Sequence, residues 1–263
     1  MLAGRMRLVS YNILDGGVGR ADPIAEILQA QQADIVALLE ADELSVVERI
    51  AARLGMDFVF SSGRKHACAI LSRYEIRDSV NYALLHPDLT NSFTLATMVE
   101  PGGRIWRVGA IHLHAQALLK DEQERLKETE AILYLTQKLR DTGMSHLLVG
   151  DFNANSPTQK IVRDRCKPST QQQMDQNGGS IPRQAISRLL EEGYLDTLQA
   201  RWGERATETG SFSTQYPGQR VDYILVHGIA NSQIADAWIE KDRLATYASD
   251  HYPVGVEIRE QEP

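Results

Sequence analysis

Leu147-Leu148-Val149-Gly150-Asp151-Phe152-Asn153 runs three apolar residues into a glycine, then sets a carboxylate and a carboxamide two positions apart. The apolar run predicts the end of a buried strand. Gly150 permits a turn or a close backbone approach to a ligand. Asp151 and Asn153 alternate on the pleat and can address one side of the strand's carboxyl end. A carboxylate there can take a proton from water. A carboxamide beside it can donate to an oxyanion and hold the water in line. The same two residue types are common turn formers, so this stretch alone leaves a strand-end turn as an equal reading.

Five other stretches bear on the choice. Asn12 closes the strand-like Arg7-Leu8-Val9-Ser10-Tyr11-Asn12, and Glu40 closes the continuous apolar run Asp34 to Leu39. A carboxylate at the end of a doubly buried strand needs a partner or a metal. A hard divalent cation held by a few carboxylates and waters supplies one, although Asp42 and Glu43 also allow Glu40 to be a helix-leading acid. His112 and His114 sit at alternate positions after an apolar strand. The zinc-binding HExxH pattern is absent, which makes dedicated zinc binding the minor reading. Asp222 lies in Arg220-Val221-Asp222-Tyr223, and Ser249-Asp250-His251 sets a carboxylate beside an imidazole before the last strand. Such an imidazole can donate to a developing oxyanion or, when protonated, balance its charge; a capping turn is the alternative.

The elements that would position these residues alternate along the chain. Strands are predicted at Arg7 to Asn12, Asp34 to Leu39, Phe58 to Phe60, Ala67 to Leu71, Val80 to Leu84, Phe93 to Val99, Trp106 to Ile111, Leu147 to Val149, Arg220 to Val226 and Val254 to Ile258. Asp22-Pro23 reads as the N-cap and first-turn proline of a helix. Further helices are expected over Leu44 to Leu54, over Lys120 to Leu139 with Leu126, Ile132, Leu133, Leu135 and Leu139 inward, and over Arg183 to Glu192. Residues 156–181 are polar and read as a surface excursion, a mobile flap beside the cleft or a solvated loop. Interleaved strands and helices without a linker or repeat predict a single α/β layered domain over residues 1–263.

Bulk properties narrow the partners. The chain has 263 residues, 43% of them hydrophobic, enough for a large core. Lys and Arg number 28 against 35 Asp and Glu, a formal charge of −7. That field disfavours a protein that grips long duplex DNA, which uses a broad basic face. Aromatic residues are 6% of the chain, with no interleaved aromatic and basic run of the kind that stacks single strands. Cys68 and Cys166 have no CxxC spacing, which argues against a disulfide framework and suits a reducing, cytoplasmic setting. No leader-like or 18-residue apolar segment stands out, so membrane insertion is not expected, and no obligate protein partner is evident.

Taken together, Ser10-Tyr11-Asn12, Glu40, Ile111-His112-Leu113, Gly150-Asp151-Phe152-Asn153, Val221-Asp222-Tyr223 and Ser249-Asp250-His251 resemble the endonuclease/exonuclease/phosphatase superfamily, also called deoxyribonuclease-I-like. The resemblance runs from about Arg7 to Ile258. It implies a four-layer α/β sandwich, two mixed sheets face to face with helices outside. It also implies hydrolysis of a phosphodiester or phosphomonoester with Mg²⁺ or Mn²⁺. By resemblance, Glu40 is the principal metal ligand, Asn12 contributes to the metal and phosphate site, and Asp250 ligates the metal or pairs with His251. His112 contacts the phosphate. Asp151 positions or deprotonates water, Asn153 binds a phosphate oxygen, Asp222 orients a catalytic histidine or supports the site, and His251 stabilises the transition state. Leu14 stands where some apurinic-site endonucleases carry an acid, and His112 stands where they carry a tyrosine. Both departures turn the expectation away from abasic-site repair; the charge balance and the missing aromatic and basic run favour a small or single-site phosphoester, with nucleic acid as the less favoured substrate. A non-catalytic binding protein on the same fold is the remaining alternative, and intact Glu40, Asp151, Asn153 and His251 count against it.

Overall fold

Period-two burial along the strands sorts apolar side chains onto two faces and leaves the polar residues at strand ends. The computed structural model describes residues 4–259. In chain order its strands are β1 (Arg5–Asn12), β2 (Ile35–Leu39), β3 (Asp57–Ser61), β4 (Cys68–Ser72), β5 (Glu75–Asn81), β6 (Ser92–Val99), β7 (Ile105–His112), β8 (His146–Asp151), β9 (Leu195–Asp196), β10 (Asp222–His227), β11 (Ile234–Ile239) and β12 (Val254–Arg259). They form two six-stranded sheets, ordered β11-β12-β1-β2-β4-β3 and β5-β6-β7-β8-β10-β9. Each sheet is mixed, with one parallel pair, β1 with β2 and β7 with β8. The helices are α1 (Ala21–Ala30), α2 (Leu44–Leu54), α3 (Leu119–Asp141), α4 (Pro168–Gln176), α5 (Gln184–Glu191), α6 (Thr197–Trp202) and α7 (Arg243–Ala248). The result is the expected four-layer α/β sandwich.

The alternation decides which side each strand end faces. On β8, Leu147 and Val149 join the larger core, which includes residues of both sheets, while Leu148 joins the smaller core under α3 and α5. Asp151 has the parity of Leu147 and Val149, so it faces the gap between the sheets. The same count aims His112 with Val108 and Ala110 on β7, and Asp222 with Ile224 and Val226 on β10. Register completes the alignment: His112 and Asp222 are both cross-strand partners of Asp151. Gly150 lets β8 pack closely on β7. Its φ is 142°, and a Cβ there would lie 1.9 Å from the Ile111 carbonyl oxygen on β7.

Several sequence expectations are corrected. Asp22 is not an N-cap; α1 begins at Ala21, and the Asp22 carboxylate instead pairs with Arg49 and Arg53 of α2. The strand expected at Val80 to Leu84 ends at Asn81, and Tyr82–Leu84 form a 3-10 turn. The inward face of α3 is largely polar at its start: Asp121, Glu122, Arg125 and Glu128 are buried, whereas Leu126, Leu135 and Leu139 are only partly so. Helical periodicity misleads there because the buried charges are satisfied internally. Arg125 pairs with Glu122 at 2.7 Å and donates to the carbonyls of His114 and Gln116. Residues 156–181 carry α4 and a small core of Cys166, Met174 and Ile181 in place of an irregular loop.

Candidate active site

Asn12 and Glu40 come from neighbouring parallel strands of one sheet, and His112, Asp151 and Asp222 from three adjacent strands of the other. The sheets face each other, so five strand ends meet at one cleft. Asn12 is fully buried and lies between the carboxylates: its Nδ2 donates to Glu40 Oε1 at 3.0 Å and to Asp151 Oδ2 at 3.0 Å. Its Oδ1 accepts the Leu14 N–H at 3.0 Å. Asn12 therefore spaces the two carboxylates in this structure, with its own oxygen already engaged. Glu40 is held at a positive φ of 51°, and its Oε2 accepts the Asp15 N–H at 3.0 Å.

His251 enters from the segment before β12. Its Nδ1 lies 2.9 Å from Asp222 Oδ2, and its Nε2 lies 3.6 Å from Asp151 Oδ2 and 4.0 Å from Asp250 Oδ1. The Asp222 contact fixes the ring so that Nδ1–H donates to the carboxylate and Nε2 faces the cleft. Ser249 ties this segment to the opposite strand by donating to the Asn12 carbonyl at 2.7 Å, and its Oγ accepts the His251 N–H at 3.2 Å. His112 presents Nε2 at 3.6 Å from Asp151 Oδ2 and 4.0 Å from Glu40 Oε1. Asn153, at φ 48°, gives its N–H to Asp151 Oδ1 and one Nδ2–H to the Leu113 carbonyl. The turn and site readings of this stretch are thus compatible: Asp151 Oδ1 organises the turn while Oδ2 faces the cleft.

Burial and charge set the protonation states. Burial pushes Asp151 up to about 7, with the His251 cation opposing and the Asp222 and Glu40 carboxylates adding to the rise. Burial works to lower His251, but the Asp222 and Asp151 carboxylates raise it to about 10. His112 is driven down to about 4 by burial, despite the pull of Glu40. Burial also works against ionised Glu40, but His112, the Asp15 N–H and the Asn12 amide bring it below its usual range. The site thus pairs a carboxyl poised near neutrality with a cationic imidazole, the perturbation pattern of a chemical centre.

Among the described residues, two groups could hold a metal ion: Glu40, His112 and Asp151, and Asp151, Asp222 and His251. Asp250, expected as a ligand, lies outside both; its Oδ1 is buried and unpartnered, and its Oδ2 is 3.9 Å from Lys167 Nζ. Four carboxylates crowd one cleft against few cations, and a hard divalent ion suits oxygen donors with such excess charge. His114 belongs to neither group; its Nε2 lies 3.3 Å from Asp121 Oδ1.

The cleft encloses a cavity of about 350 Å³ whose lining includes Glu40, His112, Asp151, Asn153 and His251. Residues that sequence patterns did not single out also shape it. The Phe212 ring lies 4.7 Å from that of His251, and Asn91 Nδ2 donates to the same Leu113 carbonyl as Asn153. Ser211 Oγ accepts the N–H groups of Val221 and Asp222. All three sit in connections without periodicity; only their nearness to strand ends could have marked them.

A family model described as the endonuclease/exonuclease/phosphatase family matches residues 9–251. The chain belongs to this family. No curated protein matches it in sequence. Solved structures with the same fold include an AP endonuclease from Archaeoglobus fulgidus, at 20% identity and a TM-score of 0.72, covering 95% of this chain and 98% of that one. Another is the 3' phosphatase NExo from Neisseria bound to a product DNA hairpin, at 22% identity and TM-score 0.69, covering 96% and 99%. A humanized D. rerio TDP2 is similar at 17% identity and TM-score 0.68, covering 97% and 99%. At such identities these likenesses establish the fold alone. Members of this family are hydrolases that act on phosphoester bonds.

Proposed function

We propose that this chain is a divalent-metal-dependent phosphoesterase that hydrolyses a small or single-site phosphodiester or phosphomonoester by in-line attack of water. The observation that carries the proposal is the pairing of Asp151, poised near 7, with His251, held cationic by Asp222, at one cleft. Asp151 Oδ2 accepts the proton of the attacking water as the water oxygen bonds to phosphorus, while the ester P–O bond opposite breaks and the leaving oxygen takes a proton from solvent. His251 Nε2–H donates to a non-bridging oxygen as charge develops on it, and Asp222 keeps the ring in that orientation. The remaining Nδ2–H of Asn153 donates to another phosphoryl oxygen. Neutral His112 offers a hydrogen bond without adding charge. Glu40, which Asn12 spaces from Asp151, would hold Mg²⁺ or Mn²⁺ in the group it forms with His112 and Asp151, and Asp250 would offer a further oxygen from the wall of the same cavity; the ion, when bound, would neutralise charge on the phosphoryl group.

The small-substrate part rests on the net charge of −7 and on the modest cavity. A nuclease remains the second reading, favoured by the DNA named in the description of the Neisseria neighbour. A panel of phosphodiesters and phosphomonoesters, assayed with Mg²⁺ and Mn²⁺ against an Asp151→Asn control, tests the proposal. Metal-dependent turnover lost in the variant is expected; no turnover on any phosphoester, or turnover that survives the substitution, would refute it.

A further inference from the structure

Beside the catalytic cleft, and sharing Asn153 and Phe212 with it, lies a smaller recess of about 120 Å³. One wall is the start of α4. Lys167 precedes this nine-residue helix, Pro168 opens it, and Ser169 and Thr170 complete its first turn. No side chain caps that turn, and among the described residues nothing accepts the Ser169 and Thr170 N–H groups. A helix start presents unpaired donors and the positive end of the helix dipole. A second feature converges on the same recess. Gln219 is 5% exposed and Thr170 6% exposed, both line the recess, and among the described residues neither side chain makes a hydrogen bond. Both side chains are nine-tenths buried, and their polar atoms open onto the recess, where an anion could accept from them. Lys167 adds a full charge. It stands 5.3 Å over the Phe212 ring and 3.9 Å from Asp250 Oδ2, a loose contact that leaves its ammonium other donors to give.

The wall is fixed in place. Arg163 grips Asp175 through two hydrogen bonds, Gln173 Oε1 accepts the Ala117 N–H, and Asn177 Nδ2 donates to the Ala117 carbonyl. Residues 156–181 are therefore docked on the loop that follows His112, and the recess needs no closing motion to exist.

We propose that this recess is a second anion subsite, which takes a phosphoryl group of the substrate other than the one that is cleaved. Lys167, the first turn of α4 and the Gln219 amide receive it. The favoured substrates are then phosphoesters with a further phosphate one linkage from the scissile bond. This deepens the phosphoesterase reading and rests on it. Lys167 acts as a specificity-determining residue, and its nearness to Asp250 does not by itself account for the unpaired donors around it.

The test compares the thymidine dinucleotide monophosphate with its 5'-phosphorylated and 3'-phosphorylated forms, in Mg²⁺ and in Mn²⁺. The wild-type protein should prefer one phosphorylated form through KM. Lys167→Ala should cut that preference roughly tenfold, the worth of one charge-assisted hydrogen bond, and Lys167→Arg should restore most of it. Gln219→Met should cut it by a smaller factor without changing charge. A wild type without preference, or a Lys167→Ala variant that keeps it while losing activity equally on all three substrates, would overturn the subsite. Inorganic phosphate titrated calorimetrically in EDTA gives an activity-free readout. Weaker binding in Lys167→Ala than in wild type supports the subsite, and equal affinity overturns it. If no phosphodiester or phosphomonoester of the wider panel is cleaved with either metal while phosphate binding still depends on Lys167, the phosphoesterase reading fails and the subsite stands.

Discussion

Buried histidines stand at both ends of the β8–β10 strand pair, and the two ends behave in opposite ways. At the start of β8, His146 packs against Tyr194 and against its cross-strand neighbour His227. Its Nε2 lies 2.7 Å from the Tyr194 hydroxyl, and its Nδ1 lies 2.8 Å from the Met144 carbonyl. No carboxylate contacts the ring, and burial drives it down to about 4 despite the Met144 carbonyl. At the other end of the same strand pair, His251 is also buried, but Asp222 and Asp151 face it and carry it up to about 10. Burial is common to both. The carboxylates make the difference, converting a neutral structural ring into a buried cation beside a carboxyl that is reluctant to ionise.

The largest effect expected from breaking this contrast is at Asp151. Asp151→Asn leaves the hydrogen-bonding shape but removes the base, and kcat should fall about 10²–10⁴-fold, the usual worth of such a group. Steady-state kinetics on whichever phosphoester the panel identifies measures it. Asp222→Asn comes next. It removes the carboxylate that does most to hold the His251 cation, so the His251 pKa should drop from about 10 toward its ordinary 6.5. In the wild type, activity should rise as pH climbs through the Asp151 titration, near 7 without a cation and lower with one, and fall as His251 loses its proton near 10. In Asp222→Asn the alkaline limb should move to lower pH. A pH–rate profile with an unmoved limb would separate His251 from that ionisation.

Glu40→Gln should raise the Mg²⁺ or Mn²⁺ concentration needed for half-maximal activity while leaving the fold intact, because one hard oxygen donor loses its charge. A metal titration of activity reads this directly. The smallest catalytic effect belongs to the far end of the sheet. His146→Phe should cost about 1–3 kcal/mol of stability, from the lost hydrogen bonds and the stranded Tyr194 and Met144 oxygens. It should leave the pH–rate profile in place. Thermal unfolding together with the same kinetics distinguishes the two ends.

Much of the layered fold was legible because apolar runs ended on polar residues. Asp34 to Leu39 could only be a doubly buried strand, and Glu40 stood where it must leave the core. The juxtaposition of Asn12 with both Glu40 and Asp151 was not legible, since it arises from one sheet packing on the other. The start of α3 hid its inward face because Glu122, Arg125 and Glu128 are buried as a paired network, which no apolar period records. Ile234–Ile239 escaped notice as a short edge strand with Asp236 in its middle. Residues 156–181 looked irregular by their glutamines and glycines, yet Cys166, Met174 and Ile181 give them a core of their own.

Hydrolysis in ¹⁸O-labelled water tests most directly the claim that Asp151 and His251 direct water onto phosphorus. With Mg²⁺ or Mn²⁺ present, one ¹⁸O atom should enter the phosphate-bearing product of the wild-type reaction, and Asp151→Asn should form that labelled product at a small fraction of the rate. Label found in the alcohol product, or equal labelled turnover by the wild type and the variant, would contradict it.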